Sequence, residues 1–180
     1  MRRLKYHEQK LLKKVNLEEW KKTNTTKEQL VTTKYVLTDR NTYHIYNKIV
    51  GKIRKLTESL AALDNTNIAK KYLSNKLLNK LFDAGIISEK KLSECIKITV
   101  SDFCKRRLPI VIAHRKFVEN YQDADKFVQH GHFKIGTNIC RDSNVLIPRA
   151  MEEFIKWSDN SKIKKKLDEV YGDYDDFKYN

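Results

Sequence analysis

The sequence contains few of the residues that form turns. Of its 180 residues, five are glycine and two are proline, which together is about a third of their share in average proteins. A sandwich or barrel of many short strands needs turn residues between successive strands, so this composition argues against such folds. It also excludes a flexible linker and a collagen-like rod.

Long apolar runs and a disulfide framework are also missing. No stretch reaches the ~18 apolar residues of a membrane-spanning helix, and the opening segment MRRLKYHEQK lacks the apolar part of a secretory signal. The three cysteines, Cys95, Cys104 and Cys140, are odd in number and irregularly spaced, unlike a set of paired cysteines. We therefore expect a protein of a reducing compartment.

Positive charge is what the sequence has in excess. Lysine and arginine number 37 against 23 aspartate and glutamate residues, which gives a formal net charge of +14. Such a surplus favours an anionic partner: nucleic acid, an acidic protein or an anionic membrane. The last ten residues instead combine aspartates with aromatic residues, which is typical of a solvated or partner-docking segment.

The first half of the chain has the apolar periodicity of helices. The pattern predicts helices over 4–15, 27–37, 40–63 and 68–84. The apolar residues between 40 and 84 outnumber those that one antiparallel helix pair needs. We expect part of this surface to cover the second half and part to form a groove for a partner segment; the alternative is that all of it closes on itself.

The pattern changes after Gly85. Thr99 can cap a short helix through Arg106, and Pro109 suits the start of a second helix, over 110–121. A third, shorter helix follows and stops at Gly131.

From residue 132 the apolar period falls to two. It predicts a hairpin of 132–135 with 139–141, and further short strands at 145–147 and 154–157. The predicted fold class is α+β. We divide the chain into a helical region, a module of helices with a small curled sheet, and a C-terminal tail: residues 1–98, 99–160 and 161–180.

Three phrases of the module, SDFCKRRLPIVIAHRKF, DADKFVQHGHFKIG and VLIPRAMEEFIKW, resemble the RNA-binding domain named after ribosomal protein S4. Outside the module, LKYHEQKLLKKV at 4–15 and SKIKKKL after residue 160 are similar to the Imp-three family of U3 small nucleolar ribonucleoprotein proteins. The similarity to that family extends over nearly the whole chain.

The resemblance implies a nucleolar factor of the small-subunit processome. Such a factor binds U3 small nucleolar RNA and pre-ribosomal RNA and promotes their pairing during 18S rRNA processing. Its implied protein partners are M-phase phosphoprotein ten and a Brix-domain protein of the U3 particle. The alternative is a structural small-subunit ribosomal protein of the S4 type. An enzyme that uses the module for targeting is a weaker alternative, because residues 1–98 are helical and too few for a sheet-rich catalytic domain.

The candidate RNA-binding residues are the polar and basic side chains of the module. We expect Lys105 and Arg106 to project outward, and Arg107, near the apolar edge, to emerge at the helix end or meet an acceptor. Guanidinium groups suit phosphate because they offer a planar fork of donors, whereas lysines act as point charges. The full set is Lys105, Arg106, Arg107, Arg115, Lys116, Gln129, His130, His132, Lys134 and Arg149.

No motif in the sequence predicts a cofactor or a catalytic group. His130 and His132 lack a third ligand nearby, which makes a metal site improbable, and no glycine-rich GxxxxGK loop is present. Cys104 is expected to face the core rather than act as a nucleophile. We therefore predict a non-catalytic protein without cofactor or metal.

Overall fold

The computed structural model describes residues 2–14, 22–64 and 66–171. The α+β prediction is confirmed, since helices dominate and one small antiparallel sheet lies in the second half. Within the described residues the elements are α1 (Tyr6–Lys14), α2 (Lys22–Lys34), α3 (Arg40–Ala62), α4 (Ile68–Asp83), α5 (Leu92–Lys97), α6 (Val100–Cys104), α7 (Leu108–His114), α8 (Tyr121–Gln129), β1 (Phe133–Ile135), β2 (Asn138–Ile139), a 3₁₀ helix (Arg149–Phe154), β3 (Ile155–Trp157) and α9 (Lys162–Tyr171).

Helices α3 and α4 lie where the apolar periodicity predicts them. The side chain of Asn67 caps α4 by accepting a hydrogen bond from the Ala69 N–H at 2.9 Å. Gly85 follows α4 at φ +75°, the left-handed conformation that glycine adopts without steric cost. The boundaries of α2 differ, because the helix begins at Lys22 and includes the polar segment 23–26 that separates two predicted helices.

The first hydrophobic core joins the two halves of the chain. Helix α3 packs against α5 and α6, and the ring of Tyr46 stacks on Phe103 with centroids 5.8 Å apart. Tyr35 and Ile53 from the first half share this cluster with Cys104 from the second. The core is therefore continuous across the proposed boundary at residue 98.

Thr99 caps α6 as predicted, but the helix ends at Cys104, two residues before the predicted end at Arg106. The Thr99 N–H and hydroxyl both donate to Asp102 Oδ2, at 3.0 and 2.8 Å. Helix α7 contains Pro109 in its first turn, but it ends at His114, so the prediction that it reaches residue 121 is wrong. Lys116 adopts φ +62°, which turns the chain out of the helix before α8 begins.

The sheet has the strand order β2-β1-β3 and is antiparallel throughout. Phe133, Ile135, Ile155 and Trp157 belong to the second core with residues of α7 and α8, and the Phe133 and Trp157 rings stack at 4.3 Å. The predicted strand at 145–147 is wrong, because Leu146 makes a single bridge to Arg107. In the predicted strand 154–157, Phe154 instead ends the 3₁₀ helix.

The sequence pattern predicts neither α5 nor α9. Helix α5 has six residues and buries mainly Cys95, which is too short to show a clear period. Helix α9 occupies half of the proposed tail at 161–180. The acidic segment at 172–180 lies outside the described residues.

Candidate nucleic-acid interface

Lys105, Arg106 and Arg107 form the junction between α6 and α7, and Arg115 and Lys116 directly follow α7. The other candidates lie at the end of α8, in the turn after it, on β1 and at the start of the 3₁₀ helix: Gln129, His130, His132, Lys134 and Arg149. A cavity of about 440 Å³ lies next to the junction. It is lined by Gly85, Ile86, Ser88, Asp102, Lys105, Arg106, Val111, His114, Arg115 and Glu152.

Glu152 lies between two arginines at this cavity. Its Oε1 is 2.5 Å from Arg106 Nη1, and its Oε2 is 3.8 Å from Arg115 Nη2. Each of the three side chains is no more than a third exposed. The carboxylate therefore partly neutralises the cations that an RNA phosphate would meet here.

The prediction that Arg106 projects into solvent is wrong. Its side chain is 14% exposed, and it donates from Nε and Nη2 to the Ile147 carbonyl. A Cβ on Gly85 would lie 2.7 Å from Arg106 Cζ, so the guanidinium fits only because that position is glycine. Arg106 is thus held by the fold and can offer RNA at most the edge that faces Glu152.

Arg107 is fully buried and must be removed from the candidate set. Its guanidinium contacts hydrogen-bond acceptors inside the protein, which is one of the two outcomes that the sequence predicted for this arginine. Its Nη1 donates to the Tyr35 carbonyl at 3.0 Å and the Val36 carbonyl at 3.3 Å, and its Nη2 donates to Asn144 Oδ1 at 3.0 Å. A side chain without solvent access does not contact RNA; Arg107 instead ties the segment after α2 to the module.

Lys105, Arg115 and Lys116 remain accessible beside the cavity. Lys105 pairs with Asp102 at 3.1 Å, yet its side chain is 53% exposed. Burial alone would raise the pKa of Asp102, but hydrogen bonds from Thr99 and Lys105 outweigh it and hold this pKa below its usual value. The hydrogen bond from Lys105 to Asp102 also raises the pKa of Lys105, so the lysine stays charged at neutral pH.

The second group of candidates surrounds the turn between α8 and β1. His130 is exposed, whereas three neighbours have partners inside the protein. Gln129 Nε2 donates to Asp125 Oδ2 at 2.7 Å, and Lys134 Nζ donates to Asp159 Oδ2 at 2.5 Å. His132 Nδ1 lies 3.0 Å from Ser161 Oγ; burial, with the nearby His130, lowers its pKa.

Arg149 contacts the first half of the chain. Its Nη2 donates to the Ile87 carbonyl at 2.7 Å, and its guanidinium lies 4.1 Å from the centroid of the Phe82 ring. Such a cation–π contact favours this position over an extended one. Arg149 is still exposed overall, so it remains a candidate that acts mainly from this fixed place.

The described residues hold neither a cluster suited to a metal ion nor an activated Cys104 thiol. Among them, no three histidine, cysteine, aspartate or glutamate side chains form a group that could hold a metal ion. Burial raises the pKa of the Cys104 thiol to about 11, so it is not a thiolate at neutral pH. No helix in the described part of the chain has the length and apolar character needed to cross a membrane.

Comparison with known proteins relates both halves to ribonucleoproteins. A profile of the ribosomal protein S4/S9 N-terminal domain matches residues 3–105. The chain is 41% identical to the U3 small nucleolar ribonucleoprotein protein IMP3 of Saccharomyces cerevisiae, over 99% of each chain. It is 36% identical to the human protein of that name, over 98% of this chain and 97% of the relative.

The chain belongs to the IMP3 family. It is also 24% identical to the small ribosomal subunit protein uS4 of Sulfurisphaera tokodaii, over 81% of this chain and 82% of the relative. The S4/S9 profile ends at Lys105 and overlaps the proposed module 99–160 only at its start. The extent of the module therefore stays a prediction.

In this member of the IMP3 family, sequence reasoning missed two residues at the cavity, Glu152 and His114. Glu152 belongs to the quoted phrase VLIPRAMEEFIKW, but nothing local to that phrase indicates a contact with Arg106, 46 positions earlier. His114 ends α7 and lines the cavity. Its place directly before the candidate Arg115, which lines the same cavity, was the available signal.

Proposed function

We propose that this chain is a non-catalytic RNA-binding assembly factor of the U3 small nucleolar ribonucleoprotein. It acts in the nucleolus and promotes pairing of U3 RNA with pre-ribosomal RNA during small-subunit rRNA processing. The observation that carries the proposal is the 41% identity, over 99% of both chains, to a relative whose name is that of a U3 particle protein.

The accessible cations support an RNA ligand. Lys105, Arg115 and Lys116 line or flank one cavity, and His130 lies exposed at the second turn. The chain carries a net charge of +14, which attracts the phosphate backbone and makes binding salt-dependent. Structured RNA is recognised largely through its shape, phosphates and 2′-hydroxyls, and such groups suit a surface of this kind.

The first half supports docking of protein partners. Ile68 is 83% exposed and Tyr72 is 63% exposed on α4, and Leu56 and Leu63 are exposed at the end of α3. Neighbouring apolar side chains left in water favour a protein contact. The partners we propose for this surface are M-phase phosphoprotein ten and, in the same complex, a Brix-domain protein of the U3 particle.

Sedimentation of the tagged protein from cell extract tests the proposal. We expect it in large precursor particles together with U3 RNA and pre-ribosomal RNA. A structural small-subunit ribosomal protein is the second candidate, and the relatives of the uS4 type at 24–26% identity favour considering it. Recovery of the tagged protein in mature small subunits would establish that alternative and overturn ours.

A reconstituted annealing assay tests the pairing activity. Labelled U3 RNA and a pre-ribosomal RNA fragment are mixed with and without the purified chain, and duplex formation is followed in time. The double variant Lys105→Gln with Lys116→Gln should anneal more slowly than wild type, whereas Lys52→Gln with Lys55→Gln, two exposed lysines of α3, should not. Equal rates with and without protein would contradict the pairing role.

The same two double variants test RNA binding itself. Losing two phosphate contacts should flatten the log–log salt dependence of affinity by roughly 1.4 to 1.8, from about 0.7 to 0.9 for each contact. The α3 control changes charge equally, so a matching decrease in both variants would point to general electrostatic attraction rather than to this site.

A further inference from the structure

The face of the sheet that points away from the core is unlike the rest of the module. Residues alternate across a strand, and the core takes Phe133, Ile135, Ile155 and Trp157. The opposite face, here called the outer sheet face, carries Lys134, Ile139 and Lys156, and Gly136 and Phe154 lie at its edge.

Two lysines lie directly opposite each other on this face. Lys134 is paired in register with Lys156 across β1 and β3, and like charges in that arrangement repel. Asp159 holds the Lys134 ammonium at 2.5 Å, so only one of the two cations has a carboxylate partner. No carboxylate among residues 2–14, 22–64 and 66–171 lies within ion-pair distance of exposed Lys156.

An uncovered aromatic ring lies next to these lysines. Phe154 is 57% exposed and stands one register step beyond the Ile135–Ile155 pair, where the Gly136 N–H donates to its carbonyl at 2.9 Å. Gly136 presents no side chain, and a Cβ built there would meet no atom within 4 Å. The strand opposite the ring therefore leaves it open.

Ile139 extends the apolar part of the face. It is 52% exposed and pairs with Lys134 on the side away from β3. Single exposed apolar residues are common, but here a ring and an aliphatic side chain are both neighbours of the lysine pair. Phe154 and Lys156 are two residues apart along the chain, which is about 7 Å and within the span of one nucleotide.

We propose that the outer sheet face binds an unpaired nucleotide of the RNA, with the base stacked on Phe154 and the adjoining phosphates bound by Lys134 and Lys156. This inference rests on the proposed RNA-binding function and adds a second contact to it. Aromatic side chains stack unpaired bases irrespective of sequence, while neighbouring cations bind the backbone. A base-paired strand has no free base face to offer this ring.

Binding of the full chain to two fluorescent RNAs tests the proposal. One is an unstructured 12-nucleotide RNA, and the other is the same strand annealed to its complement. Phe154→Ala should weaken binding of the single strand about fivefold or more, leave duplex affinity unchanged and leave the salt dependence unaltered, since no charge is removed. Phe154→Trp should retain affinity, and the added indole should be quenched by the single strand.

The controls separate stacking from other effects. Tyr171→Ala removes another exposed ring, at the end of α9, and should leave both affinities unchanged. Lys156→Gln should reduce the salt dependence of single-strand binding by roughly 0.7. Equal melting temperatures of wild type and Phe154→Ala ensure that the comparison concerns the native fold.

Two results would overturn the proposal. The first is wild-type affinity of Phe154→Ala for the single strand. The second concerns an acidic aromatic peptide, such as GDYDDFKYN from residues 172–180. If wild type binds this peptide and Phe154→Ala does not, while the variant still binds both RNAs like wild type, the face is a protein site. Failure of the proposed RNA-binding function would give a different result, because the wild-type chain would then bind neither RNA.

Discussion

Arg107 is a buried cation whose described hydrogen-bond partners are all uncharged. Two backbone carbonyls and an amide oxygen accept from its guanidinium, while Nε has no hydrogen-bond partner among the described residues. A buried charge is costly unless its hydrogens are satisfied, and the planar fork satisfies three acceptors from one position.

We predict that Arg107→Lys lowers the free energy of unfolding by at least about 2 kcal/mol, because one ammonium cannot reach the same acceptors and leaves buried carbonyls unpaired. Unfolding in guanidinium chloride at neutral pH measures this change in the free energy of unfolding. Arg141→Lys, at an exposed arginine, is the matched control and should change stability by less than about 0.5 kcal/mol. Equal stability of the two variants would contradict the role given to Arg107.

For single residues, the sequence could predict which side chains are buried or exposed where their partners are local, but not which distant groups they contact. Helical geometry correctly identified Phe103 and Cys104 as buried. The same geometry failed for Arg106, because its acceptor on Ile147 lies 41 positions away and a long side chain can bend back to such a partner. Lys105, whose partner is three residues away, was predicted correctly to project outward.

At the scale of elements, the 3₁₀ helix Arg149–Phe154 joins several parts of the molecule. Arg149 reaches Phe82 and Ile87, Glu152 reaches the arginines of the cavity, and Phe154 ends on the outer sheet face. Sequence pattern missed this element because a six-residue 3₁₀ helix has only two turns, which is too short to show a period. It missed the end of α7 because a positive φ at Lys116 has no signature in a lysine.

We predict that Glu152→Gln tightens RNA binding several-fold and steepens its log–log salt dependence by roughly 0.7 to 0.9. The change removes the carboxylate that competes with phosphate for Arg106 and Arg115. It should also lower stability by about 1–2 kcal/mol, since a charged hydrogen bond is lost. Unchanged affinity in a salt titration would mean that phosphate does not enter the cavity.

The cap of α6 should be sensitive to acid. Because the pKa of Asp102 lies below its ordinary value of 3.8 in the folded state, the ionised carboxylate stabilises the fold above that value. This contribution is lost as pH falls through the lower, folded pKa. Asp102→Asn should therefore be less stable than wild type by about 0.5–1 kcal/mol at pH 7.

Denaturant unfolding at pH 7 and at several values below 3.8 measures this difference. We expect the gap between wild type and Asp102→Asn to close as the pH falls. A gap of constant size across the range would show that the charge of Asp102 contributes nothing to the cap.

At the scale of the whole molecule, the two halves share a core and several arginine contacts. Tyr46 packs on Phe103, Arg107 binds the carbonyls of Tyr35 and Val36, and Arg149 binds Ile87. Periodicity predicted α3 and α4 well because each is long and has one buried face. It could not show how the halves join, since contacts between distant segments leave no local pattern.

We predict that residues 99–180 do not fold alone, because cutting at 98 exposes Phe103, Cys104 and Ile110, which the first half covers. Circular dichroism and gel filtration of this fragment should show an expanded chain without a cooperative thermal transition. Co-expression with residues 1–98 should restore a compact complex. A cooperative transition in the isolated fragment would instead make the module an independent domain.

The arginine contacts between distant segments place an unequal constraint on evolution. Each donor is a specific side chain, while nearly every acceptor is a main-chain oxygen that persists through any substitution. We therefore expect the arginines at 106, 107 and 149 to persist among diverging orthologues, whereas the residues that accept from them should vary within the limits that core packing sets. These accepting residues are Tyr35, Val36, Ile87 and Ile147.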